Sequence, residues 1–217
     1  MIAVDKYEIS LTEAEWQGCI DLLHMWVSLA RVPAPRDFRK YRLFNCACVR
    51  RVLDCVTNVH SQRALHVLER NIEGAASWEE VEATRRIVQE AALDDPAAWL
   101  NSDEPILVAL KAAGARAEHS SDDHGARAKE EVEQCHLFRD IFSNPFRPAT
   151  LDPSWLTSTV VALARGIYEE RAFDRMPILA DALQDAGCDN EDVLNHCRGP
   201  GPHVRGCWVV DLVLGKT

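Results

Sequence analysis

Two histidines and three cysteines fall within the twenty positions from Cys188 to Cys207, and a Gly199-Pro200-Gly201-Pro202 turn interrupts them. Thiolate sulfur and imidazole nitrogen are the ligands zinc prefers. His203 and Cys207 are four apart, so a helix starting after Pro202 would stack them on one face. Cys188 follows a helix-ending glycine, and His196 closes a short helical stretch. Cys188, His196, His203 and Cys207 are therefore the candidate ligands of a two-Cys, two-His tetrahedron. Such a site staples short elements together and contributes folding energy directly. Cys197 is an alternative ligand. The pattern is not that of a zinc finger: seven residues separate Cys188 from His196, and a Cys-x-x-Cys knuckle is absent. The plain alternative is packing, since free cysteine is among the most buried residue types. The same atoms also admit a Cys–His nucleophile and base, with Asp211 or Asp189 orienting the imidazole. No known cysteine-hydrolase motif surrounds them.

A second group is basic. Arg36, Arg39, Lys40, Arg42, Arg50 and Arg51 share a segment in which Asp37 is the only acid. It is a candidate surface for phosphate, RNA or an acidic protein partner. The plain reading is a helix face paired with neighbouring acids. Cys46-Ala47-Cys48 resembles a metal pair, but two positions on a helix are about 200 degrees apart, so the thiols diverge. Cys19, Cys48 and Cys55 read as core. From Cys135-His136, one residue joins the C-terminal cluster as an extra ligand, or the pair is a buried thiol beside a surface imidazole. His119, Asp122, Asp123 and His124 lie in a short polar loop, where ordering entropy opposes tight metal binding.

The elements that must position these groups are helical. At 217 residues the chain can bury a sizeable core as one domain or two. Its 47% hydrophobic and 27% charged residues are ordinary globular values. The net charge of -10 repels phosphate backbones and anionic membranes, so nucleic acid is disfavoured except through the segment 36–51. No apolar run is long enough to span a membrane. The first residues lack the order of a signal peptide. The expected location is cytoplasmic, with the eight cysteines reduced.

Thr12-Glu13-Ala14-Glu15 and Ser77-Trp78-Glu79-Glu80 are capping boxes. The first opens a helix to about Arg31 with Trp16, Ile20, Leu23 and Val27 on one face. Helices are expected over about 36–57, 61–73, 77–93, 126–142, 175–186 and 190–196, with two short pieces within 96–117. Asp152-Pro153 starts another cleanly. Gly187 ends one helix and Asp189 caps the next. Residues 204–214 read as helix or strand, and helix fits the surroundings. The fold class is all-α, a compact multi-helix bundle. The expected division is 1–118 and 126–217, with the loop 119–125 as boundary, unless the whole is one domain.

Several stretches resemble an uncharacterised paralogous family of planctomycete proteins. They are Thr12–Trp16, Arg42–Arg51, Phe138–Pro148, Leu179–Cys188 and His203–Asp211, which bracket nearly the whole chain. The resemblance implies Cys188, His203 and Cys207 as family positions and an aliphatic residue where Cys197 stands. It implies no activity. The Leu179–Cys188 helix is also similar to helical companion modules of repeat proteins, which points to protein–protein interaction.

The functional expectation is a non-enzymatic interaction or regulatory module with a protein partner and a structural zinc. Its partner surface would be the basic helix or the Gly-Pro turn. The alternatives are a metal- or thiol-dependent hydrolase using the 188–207 cluster, and an immunity or defence-complex component.

Overall fold

The computed structural model describes residues 11–31, 38–55, 59–91 and 105–216. The fold is all-α: eleven α-helices and no strand occur among the described residues. They are α1 Glu13–Gly18, α2 Leu22–Arg31, α3 Phe38–Arg51, α4 Val59–Ile72, α5 Trp78–Ala91, α6 Pro105–Glu118 and α7 Asp123–Phe142. After these come α8 Ser158–Glu170, α9 Met176–Asp185, α10 Glu191–Arg198 and α11 Trp208–Leu214. None of the described helices is long and apolar enough to cross a membrane. The lead-in over 1–10, the breaks at Pro33–Pro35 and Asp95-Pro96, and Arg36 fall outside the described residues.

The chain forms two compact units. One comprises residues 1–135 with 144–146; the other comprises 136–143 with 147–217. The division falls inside α7, later than the polar loop 119–125. Within that loop the Asp122 carboxylate accepts from the Gly125 amide at 3.1 Å and caps α7.

In the first unit α3 packs on α4 and α6, and α4 on α5. Its core includes Trp16, Met25, Leu43, Phe44, Cys48, Leu65 and Leu68. Both capping boxes form as the sequence indicates, Thr12 with Glu15 and Ser77 with Glu80. The first helix is not continuous to Arg31, however. Cys19 is extended, with ψ 130, and Asp21 starts a new helix by accepting from the His24 amide at 3.1 Å. The break rotates the apolar face, so Ile20 and Leu23 are exposed while Met25 and Ser28 are buried. Cys19 and Cys55 are half-buried rather than core. α3 ends at Arg51 and gives way to a 3₁₀ turn, Leu53–Cys55, which takes Cys55 off the apolar stripe.

In the second unit α8 packs on α9 and α11, and α9 on α10. Apolar residues at helical spacing (Val160, Ala164, Ile167) face Met176, Leu179, Leu183, Val193, Val209 and Val213. Each of the larger of these side chains (Val, Leu, Ile and Met) contributes roughly 1.5–3 kcal/mol by leaving water. Asp152-Pro153 opens only a 3₁₀ turn. Thr157 is the true N-cap of α8, accepting from the Val160 amide at 3.3 Å. Likewise Asn190, and not Asp189, caps α10 through the Val193 amide at 3.2 Å. Gly187 takes φ 96 after α9, as a C-cap glycine should. The final segment is helical, but only from Trp208.

Candidate metal centre

Asp140, His196, His203 and Cys207 converge in the second unit, each offering one ligand atom, and all four atoms lie within 4.8 Å of one another. Four local structures deliver them. Asp140 sits one turn from the end of α7, among the buried Leu137, Phe138 and Ile141. His196 lies in the last turn of α10. His203 follows the Gly-Pro turn, in which Gly201 takes φ 81. Cys207 immediately precedes α11, and its amide donates to the Val204 carbonyl at 2.9 Å. His203 and Cys207 are thus brought together by a turn and not by stacking on one helix.

Asp140 is the hub. His203 Nδ1 is 2.7 Å and His196 Nε2 is 3.1 Å from its Oδ1, and the Val204 amide donates to its Oδ2 at 2.9 Å. His196 Nε2 also lies 3.2 Å from Cys207 Sγ. Behind it, the Trp208 indole N–H donates to His196 Nδ1 at 3.1 Å. His203 Nε2 is buried without a hydrogen-bond partner. The convergent atoms are therefore Asp140 Oδ1, His196 Nε2, His203 Nδ1 and Cys207 Sγ.

The site is nearly closed. The Asp140 side chain is 3% exposed, His203 8% and His196 18%. Burial alone would raise the Asp140 carboxyl, but hydrogen bonds from His196 and His203 outweigh it and hold the acid below its usual range. Burial, reinforced by the charge of Asp140, pushes the Cys207 thiol well above its usual value; the amides of Val210 and Val209 oppose it only in part. Cys207 is therefore held as the thiol at neutral pH.

These residues can hold a metal ion. Zinc bonds of about 2.0–2.3 Å in a tetrahedron set donor atoms roughly 3.3–3.7 Å apart. Three pairs stand 2.7 to 3.2 Å apart and need a small spreading, while the set as a whole extends to 4.8 Å, so its widest separation must close for all four to bind at once. The set of one carboxylate, two imidazoles and one thiol is of the N/O/S type zinc accepts.

Three of the four expected ligands meet here; Cys188 does not. The turn at Gly187 bonds the Cys188 amide to the Leu183 carbonyl at 2.9 Å and leaves its side chain in the apolar core. Burial raises its thiol, and the Asn190 amide partly offsets that. Cys197 is fully buried outside the donor set. Burial first, then the charge of Asp140, push it up to about 12. The carboxylate paired with both imidazoles is that of Asp140. Cys135 is buried and His136 exposed; the residue of that helix that joins the cluster is Asp140, four residues after His136. The signal available in the sequence was an acid inside the apolar run Leu137–Phe142.

The basic segment is largely engaged within its own unit. Arg39 pairs with Glu73 at 3.0 Å, and Arg50 with Glu69 at 2.7 Å. Arg51 pairs with Glu130 at 2.8 Å and Glu133 at 3.3 Å. Arg42 donates to Asn71 at 2.8 Å and lies over the Trp78 ring, 5.7 Å from its centroid. Lys40 is half-buried.

No protein-family model, curated protein or solved structure matches this chain.

Proposed function

We propose that this protein is a non-enzymatic interaction or regulatory module whose C-terminal unit is stapled by a zinc ion on Asp140, His196, His203 and Cys207. The observation that carries the reading is the convergence of four zinc-type donor atoms, all within 4.8 Å, in a nearly closed site. Structural zinc sites are closed and four-coordinate, whereas catalytic ones keep an open position for water. A buried thiol with its proton held on is poorly suited to nucleophilic attack. The ion would tie the end of α7 to α10, to the Gly-Pro turn and to the start of α11. The presented surface would then be the rigid C-terminal unit, not the ion-paired basic segment. The eight free cysteines suit a reducing, cytoplasmic setting, and the planctomycete resemblance belongs to the same proposal.

Metal analysis of the purified full chain tests this. The reading expects about one zinc per chain, lost in both Asp140→Asn and Cys207→Ala, with thermal stability falling when a chelator strips the wild type. Zinc that leaves and returns without changing stability would favour the hydrolase alternative. Absence of zinc after reconstitution would reduce the cluster to a polar core.

A further inference from the structure

The Trp208 indole faces the wrong way for a permanently loaded zinc site. An indole N–H only donates. At 3.1 Å it donates to His196 Nδ1, so that nitrogen carries a lone pair and the ring proton sits on Nε2. The ring orientation is consistent at both ends, because Nε2 meets Asp140 Oδ1 at 3.1 Å and Cys207 Sγ at 3.2 Å. Turning the ring over would set carbons against all three partners. A metal-bound histidine ordinarily donates its second N–H to a carboxylate, carbonyl or water. Here the group behind His196 is itself a donor.

A cation on His196 Nε2 needs the lone pair there. The ring proton must then move to Nδ1, where it would confront the indole N–H. Two donors at that separation repel, so the Trp208 bond has to open. Trp208 is buried, and it is the first residue of α11, directly after the ligand Cys207. Release of the indole therefore acts at the start of the last helix.

We infer that Trp208 is a latch for the metal-free state: it holds His196 in the tautomer that cannot ligate, so that binding of a zinc-like divalent cation releases the indole and shifts the first turn of α11. The inference rests on the metal reading above and adds to it a regulated occupancy. The cation is exchangeable rather than permanent, and its arrival is reported at the chain's last helix.

Trp208→Phe keeps an aromatic ring and removes the donor. In a competition titration of the full chain with zinc chloride against a chromophoric chelator, the variant should bind about five- to tenfold tighter, the factor one neutral hydrogen bond supplies. In the wild type, the Trp208 indole N–H resonance, identified by its proximity to the His196 ring in through-space NMR contacts, should shift on zinc addition. That second measurement stands even where the variant folds poorly. If the wild type takes up zinc while its indole signal stays fixed, or the variant binds no tighter, the latch is wrong and the metal centre survives. If neither protein binds zinc, both readings fall. Zinc binding by the variant with none by the wild type supports the latch in its strongest form.

Discussion

Both units bury carboxylates, and they answer them in opposite ways. In the first unit Glu69 and Glu130, each 3% exposed as side chains, meet the guanidinium groups of Arg50 and Arg51. Arginine keeps its charge at any ordinary pH and offers only donors. Those pairs hold α3 to its neighbours, and the guanidinium side of each brings no lone pair to a metal ion. In the second unit Asp140 meets two imidazoles and stands near a thiol. Each of those groups can give up or relocate a proton and present a lone pair. Burial and polarity are shared by the two regions; what distinguishes a candidate site is whether its partners can exchange a proton for a cation.

The largest effect expected from breaking this contrast is at Asp140. Asp140→Ala leaves His196, His203 and the Val204 amide without their common acceptor. Removing one member of a buried charged network costs about 3–5 kcal/mol. Urea unfolding in the presence of a chelator measures it free of metal. A loss near 1 kcal/mol would mean that the hub is not structural without metal.

The next effect is alkaline. In the native state Cys197 is pushed up to about 12 from an unperturbed 9.0, and Cys207 is raised in the same direction. Between those values the native state holds protons that the unfolded chain has released, so stability falls as pH rises. Below pH about 9 these thiols contribute their full stability; above it the loss is about 1.4 kcal/mol per pH unit for each group. Cys197→Ala should be less stable at neutral pH and show a shallower alkaline slope by about that amount. An unchanged slope in unfolding free energy would remove Cys197 from the alkaline limb.

Smaller again is the ion-pair side of the comparison. Glu69→Ala frees Arg50, whose side chain is 40% exposed and can turn to water. We expect a loss of about 1–2 kcal/mol in urea unfolding, with zinc content unchanged. A cost equal to that of Asp140→Ala would erase the distinction between the two networks.

Reading these regions from sequence succeeded where the signal was local. Capping boxes at Thr12 and Ser77 and the glycine stop at Gly187 are written in neighbouring residues, and they form. The break at Cys19 was hidden because the residues on both sides keep helical spacing, while the deciding cap, Asp21, lies within that pattern. His196, His203 and Cys207 were legible as chemistry because they cluster in the chain. Asp140 was not, because it joins them across 63 positions, and proximity of that kind is a property of packing alone. Cys188 misled for the complementary reason: it is near in sequence, but its cap turn commits it to the core.

Two glycines give the finest test. Gly74 and Gly201 both take positive φ, 73 and 81 degrees, so alanine at either should cost about 1–2 kcal/mol of backbone strain. Their surroundings differ. A Cβ at Gly74 would meet nothing within 4 Å, whereas one at Gly201 would lie 3.0 Å from the His203 amide nitrogen and 3.4 Å from its ring Cδ2. His203 would have to yield, and its Nδ1 would leave Asp140. Gly74→Ala should therefore lower stability and leave zinc affinity unchanged, while Gly201→Ala should lower both. Paired unfolding and zinc-competition titrations separate strain from site. Equal zinc affinities in the two variants would show that the Gly-Pro turn bends the chain without aiming His203.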